Sequence, residues 1–267
     1  IPAFIDQVTG DARQNKPSIK IHAAEDGDED VALIYDGLAR AIQNESNADF
    51  AYDTAVEYTA NFGFGAWRVK TDYESEDSFN QILLIQRITD PLSVYFDKNA
   101  QLPDYSDARH VTVKVVITKD DYQSRWPGKD KSAYSFDDFA PEWVVGKDQV
   151  VVAEHWYKVE EKKTLYLLQD ADGNTKSSFE LMPETVVLQQ RETTVTSVKM
   201  CYLSGGDILE EKDWAGKILP IVGVNGKEDL VDGKRTLRGI VRFAKDPQRM
   251  YNYWRTIDTE QKALAPK

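Results

Sequence analysis

Apolar positions recur at helical spacing near both ends of the chain and alternate in pairs over most of the rest. Phe4, Ile5, Val8 and Ala12 predict a short helix over 3–14, which Pro17 ends. Ser18–Ala23 alternates and predicts a short strand with Ile19 and Ile21 inward. Val31, Ile34, Leu38 and Ile42 mark a first long helix; Ala51, Ala55, Tyr58 and Phe62 mark a second. Asn44–Asn47 breaks them, so the two make a helical hairpin. The run Glu25-Asp26-Gly27-Asp28-Glu29-Asp30 feeds the first, where negative charge complements the helix dipole. It lacks the glutamate that closes a calcium loop.

Gly63 and Gly65 mark a change of period from helix to strand. Phe64–Tyr73 and Phe79–Thr89 predict two strands joined by the charged turn Glu74–Ser78. Asp90-Pro91 breaks the second, and Val94–Asp97 predicts another short strand. Residues 98–108 are irregular, Arg109–Thr118 alternates, and Lys119–Trp126 predicts a helical turn. Across 128–148, Tyr134, Phe136, Phe139 and Trp143 are expected to anchor an open loop. From Gln149 the pattern is antiparallel, with strands at 149–159, 163–169, 179–181, 185–190, 193–203, 207–212 and 218–224. Turns fall at Asp172-Gly173 and Gly205-Gly206. The fold class is therefore α+β: an N-terminal helical hairpin, antiparallel sheets in the middle and a long C-terminal amphipathic helix.

That last helix follows a β-type run, Ile240–Phe243, and is expected to open at Asp246-Pro247, a capping residue before a first-turn proline. Met250, Tyr253 or Trp254, Ile257, Gln261 and Leu264 recur on one face, and Pro266 stops the pattern. A terminal helix of this kind either folds back on what precedes it or packs against another molecule. Arg249, Tyr253, Trp254 and Arg255 are the candidate contacts to other subunits, because aromatics and arginine are enriched at interfaces.

Composition narrows the function. Hydrophobic residues at 41%, with 11% aromatics, describe a folded chain. A formal net charge of −12 opposes tight binding to phosphates or to anionic membranes. No apolar run approaches the roughly 20 residues that span a bilayer. The start, IPAFIDQVTG, has neither a basic segment nor an initiator methionine, so a processed chain or a segment of a longer protein is expected.

Cys201 is the single cysteine, which excludes an intrachain disulfide and a cysteine-rich metal site. His22, His110 and His155 are far apart in sequence, and no HExxH, GxxxxGK or GxSxG motif occurs. Asp170-Ala171-Asp172-Gly173-Asn174 has its glycine fourth and Leu181 at the twelfth position, so it reads as a hairpin turn. No catalytic, metal-binding or cofactor-binding residue is assigned, and the chain is not expected to be an enzyme. An alternative is a β-rich carbohydrate-binding or adhesion module built on Trp126, Trp143, Trp156 and Tyr157.

Three stretches occur in order: FGFGAWRVKTDY at Phe62–Tyr73; ITDPLSVYFD at Ile88–Asp97 with DYSDA at Asp104–Ala108; and LPIVGVNGKEDLVDGKRTLRGIVRFAKDPQRMYNYWRTIDTE at Leu219–Glu260. Together they resemble the portal proteins of short-tailed bacteriophages. The likeness covers most of 31–126 and 218–265, while 128–215 carries no matching motif. The resemblance implies a ring of about twelve copies at one capsid vertex, a closed assembly of repeated contacts. It implies a head–tail connector in the virion, assembled in the host cytoplasm. Through this connector double-stranded DNA is packaged and ejected without sequence-specific binding. Implied partners are the terminase motor, the major capsid protein and the tail or head-completion proteins, with no membrane and no cofactor. By the same resemblance, 1–240 is a wing-like domain with a β-rich part at about 128–224, and 241–267 begins a stem-like helix. Clip, crown and tunnel loop are expected outside this sequence.

Overall fold

The computed structural model describes residues 2–16, 18–23, 28–129, 148–170, 174–181, 183, 186–205 and 207–264. Glu25–Gly27, the aromatics expected to anchor 128–148, the Asp172-Gly173 turn, Gly206 and Pro266 lie outside the described residues. The first elements are α1 (Pro2–Gln14), α2 (Glu29–Glu45), α3 (Ala48–Phe62), β1 (Phe64–Tyr73), β2 (Gln81–Arg87), β3 (Val94–Phe96), β4 (His110–Thr118) and α4 (Lys119–Arg125). Next come β5 (Gln149–Gln169), β6 (Thr175–Ser178), β7 (Val186–Ser204), β8 (Asp207–Trp214), β9 (Ile221–Asn225), β10 (Lys227–Val231), β11 (Lys234–Arg238) and α5 (Ile240–Leu264). The α+β class read from the sequence is the one observed. The chain forms two compact units: residues 1–92, 101–105 and 220–267, and residues 93–100 and 106–219.

In the first unit, small residues set the packing. Ala48, Ala51, Ala55 and Ala60 form the buried face of α3. A methyl group on Gly65 would lie 2.1 Å from the Ala55 carbonyl oxygen, so the helix backbone rests directly on β1. The Thr59 hydroxyl lies 2.7 Å from the Ala55 carbonyl oxygen and 3.0 Å from that of Val224, so one donor serves helix and sheet. Asp28 caps α2 by accepting from the Asp30 N–H. The sheet runs β2-β1-β9 and is antiparallel throughout.

The hairpin β10–β11 turns at Asp232-Gly233, both with positive φ (50° and 72°), as a tight two-residue hairpin loop requires. Sequence reading missed this hairpin, although Asp-Gly between two short runs was its signal. Arg235 on β11 donates to Glu228, donates to the Leu102 carbonyl at 3.1 Å and lies 4.7 Å from the Tyr105 ring centre. Those contacts hold 101–105 in the first unit.

Two expectations fail in this unit. Ser18–Ala23 is not a strand, and Ile19 and Ile21 are exposed at 56% and 36% instead of turned inward. An alternating pattern without a neighbouring strand has nothing to hydrogen-bond. The run Ile240–Phe243 is not a strand either. It forms the first turn of α5, so Asp246 and Pro247 lie inside the helix and do not open it. Gly239 explains the early start. It is buried where a methyl would lie 2.5 and 2.6 Å from the Asn61 and Ala60 carbonyl oxygens, and its own carbonyl accepts from Arg242. The chain is thus pressed onto the end of α3 at that point and turns into helix at once.

The second unit is one antiparallel sheet in the order β3-β4-β5-β7-β8, with β6 beside β5. Tyr122, Trp126, Val150, Val152 and Leu209 form its core, with Ile117 and Tyr202 packed on them. Thr118 caps α4 by accepting from the Asp121 N–H at 3.1 Å. The two strands expected at 149–159 and 163–169 are one continuous strand, because Glu160–Lys163 carries charge but no turn-forming residue and keeps its pairing with β7. No strand forms at 179–181; the strand of that region is β6. Trp126 and Trp156 are buried and donate to Glu210 and Glu154, so they do not build a sugar-stacking platform. Trp143 lies outside the described residues.

Candidate subunit interface

Helix α5 has 25 residues, none of them buried. At 1.5 Å per residue it is about 37 Å long. Ile240, Val241, Ala244 and Gln248 are half-buried at one-turn and two-turn spacing, and this face of the first turns meets α3. Beyond Gln248 the helix leaves that support. Phe243, Pro247, Met250, Trp254, Ile257, Gln261 and Leu264 follow one another at alternating spacings of four and three. That repeat draws a nearly axial stripe, drifting about 20° per seven residues, and is the pattern of a helix–helix seam. Phe243, Met250, Trp254 and Leu264 are all more than half exposed, and Ile257 is half-buried. Phe243 has Lys227 Nζ 5.5 Å from its ring centre.

The structure sorts the residues singled out in the sequence. Trp254 and Pro247 lie on the seam, and Tyr253, 63% exposed, flanks it. Arg249 and Arg255 point elsewhere around the helix, at 3.7 Å from Asp246 and 3.8 Å from Asp258. Lys262 also reaches Asp258, and Gln248 donates to Asn252 one turn on. These pairs solvate and stiffen the flanks. Phe243 was not in the sequence-based set; its place in a supposed strand concealed it.

Elsewhere the structure brings together what the sequence keeps apart. His110 on β4 and His155 on β5 have ring centres 5.7 Å apart, and Tyr157 stacks on His155. Thr112 Oγ1 lies 2.8 Å from His155 Nδ1. Burial, with repulsion from His110, lowers the His155 pKa below its ordinary 6.5. The hydrogen bond from Tyr157 to Glu211 pushes the phenol up to about 12. Asp97 accepts from the Asn99 and Arg109 N–H groups; the first of these is the main cause of its lowered pKa. Burial raises the pKa of the Cys201 thiol, which suits a small core residue and not a nucleophile. Among the described residues no group of three or more His, Cys, Asp or Glu side chains could hold a metal ion. No described helix is long and apolar enough to cross a membrane.

A helical seam turned to solvent is the kind of surface through which structural proteins assemble. The family model for phage P22-like portal proteins matches residues 1–267, and the chain belongs to that family. It is also similar to a portal protein of Acyrthosiphon pisum secondary endosymbiont phage 1, at 24% identity over 274 residues covering 94% of this chain. The match takes in 38% of that relative, so the chain spans well under half its length. The family is a structural one from bacteriophages.

Proposed function

We propose that this chain is part of the wall of a portal ring at a capsid vertex, through which double-stranded DNA passes on packaging and ejection. In this reading 1–240 is wing-like and 241–267 begins the stem, where helices of neighbouring copies line up around the axis. The terminase motor, the capsid shell and the tail proteins are its partners. DNA passes it, driven by the motor, while the chain itself makes and breaks no bonds.

The observation that carries the reading is the exposed seam of α5, from Phe243 to Leu264, in a chain of the portal family. A helix that turns Met250 and Trp254 to water gains most from a neighbouring helix that covers them. The net charge of −12 suits a channel, because a basic lining would hold phosphates by counterion release and retard the DNA. Electron microscopy and mass photometry of the full-length protein test this. Ring-shaped particles are expected, and Trp254→Glu combined with Met250→Glu should disperse them while leaving the thermal melt of the subunit unchanged. A full-length protein that stays monomeric at high concentration, or rings indifferent to both substitutions, would overturn the assignment.

A further inference from the structure

A groove of about 760 Å³ in the second unit reverses the charge of the chain locally. Arg109, Lys158, Arg191 and Lys217 line it, against the two carboxylates of Asp107 and Glu160. Lys158 Nζ is anchored on the Ser106 carbonyl at 2.7 Å. The Arg191 and Lys217 side chains make no ion pair with another described residue. Leu165 and Phe179 add apolar wall, and Phe179 is 47% exposed. In a molecule of net charge −12, such a groove selects an anionic partner that also offers something apolar.

The same chain carries that complement on its first unit. Just after Asp72 near the end of β1, the β1–β2 connection places Glu74, Glu76 and Asp77 within four residues, all exposed, and follows them with Phe79, 96% exposed. The turn is held in shape from within. Glu74 N–H donates to the Asn80 carbonyl at 3.0 Å, Ser75 Oγ to Asp77 Oδ1 at 2.7 Å, and Asn80 Nδ2 to Glu74 Oε2 at 3.3 Å. A preformed tip loses little entropy on docking. Hydrogen bonds from Lys70 and Ser75 lower the pKa values of Asp72 and Asp77, so both carry charge at neutral pH. Phe79 is 96% exposed and so open to contact with another molecule.

We propose that the acidic β1–β2 tip of one copy docks in the cationic groove of the next, with Phe79 against Leu165 and Phe179 and the tip carboxylates against Arg109, Arg191 and Lys217. Two different surfaces of one chain then meet head to tail, the kind of contact that closes a ring. The inference rests on the ring reading above and names a contact within it. A DNA phosphate would be attracted by the same cations, but it offers nothing to Leu165 and Phe179 and is repelled by the rest of the chain.

Disulfide trapping in the full-length protein decides the matter. One preparation carries Phe79→Cys and another Phe179→Cys; each is mixed with the other and oxidised. A covalent dimer is expected in the mixture and not in either preparation alone. Arg191→Glu with Lys217→Glu should cut its yield about tenfold, and Glu74→Lys with Glu76→Lys on the tip should restore it. Raising the salt concentration should lower the yield of the unaltered pair in the same direction, a check that needs no charge variant to fold. Rings seen by electron microscopy without the cross-link would overturn the docking and leave the ring standing. Absence of both rings and cross-link would overturn both. A short DNA duplex that abolishes the cross-link and binds equally well to tip variants would give the groove to nucleic acid and overturn the proposal.

Discussion

Gly65 sets how closely α3 approaches β1. A methyl there would meet the Ala55 carbonyl at 2.1 Å, backbone that cannot swing aside, and the Thr59 hydroxyl at 2.8 Å. Gly65→Ala is expected to destabilise the protein by about 1–3 kcal/mol in urea unfolding, as overpacking of a tight contact does. Gly37→Ala, on α2 with nothing within 4 Å of the added methyl, should stabilise it by about 0.5–1 kcal/mol. His155 gives a pH dependence of known sign. Its folded pKa lies below 6.5, so its neutral form belongs to the fold while the unfolded chain takes up the proton first. Stability is therefore full above pH 6.5 and falls as the pH drops through that value towards the folded pKa. The melting temperature should decline between pH 7.5 and 5.5, and His155→Gln should flatten the decline. Asp97 acts further down: its depressed pKa adds stability above 3.8 that is lost only in stronger acid. At this scale the sequence was least legible. Nothing in the residue pattern says that Thr112 faces His155 across two strands or that Trp126 and Trp156 are core rather than platform. Register settles such questions, and register belongs to the pair of strands.

Among the elements, α5 tests the difference between local chemistry and tertiary support. Asp-Pro is a strong opening signal, yet the helix begins at Ile240 because Gly239 sits against the end of α3. Asp246, 86% exposed at its side chain, caps nothing, so Asp246→Ala should change stability by less than about 0.5 kcal/mol. Pro247 has no N–H to give to the Phe243 carbonyl. Pro247→Ala should add a hydrogen bond and raise stability and helical circular dichroism, by up to about 3 kcal/mol if nothing else requires the proline. A lower melting temperature for that variant would show that the proline is needed where it stands. The helical hairpin of α2 and α3 was legible because both helices keep a strict apolar period. The length of β5 was not, since a charged run looks like an interruption until its partner strand is in place.

For the whole molecule, the boundary visible in the residues was compositional, a β-rich stretch at 128–224. The compact unit starts earlier, taking in β3, β4 and α4, and gives 101–105 back to the first unit. Arg235 and Tyr105 make that return, and no local pattern announces a contact between residues so far apart. The seam on α5 and the groove of the second unit lie on different units, so their tests are independent: dispersing rings through Trp254 should leave disulfide trapping between β1–β2 tip and groove measurable at high concentration.

The chain passes between its two units four times, and the last return, at Pro220, delivers β9 to the open side of β1. On the ribosome, β1 is therefore finished some 150 residues before the strand that covers it arrives. Throughout that interval the nascent sheet offers a bare edge from Phe64 to Arg68, the most adhesive surface a partly made protein can show. Truncation after Leu219 should freeze that state and give insoluble material, whereas the whole chain remains in solution; speed of synthesis through 106–219 thus becomes a determinant of yield.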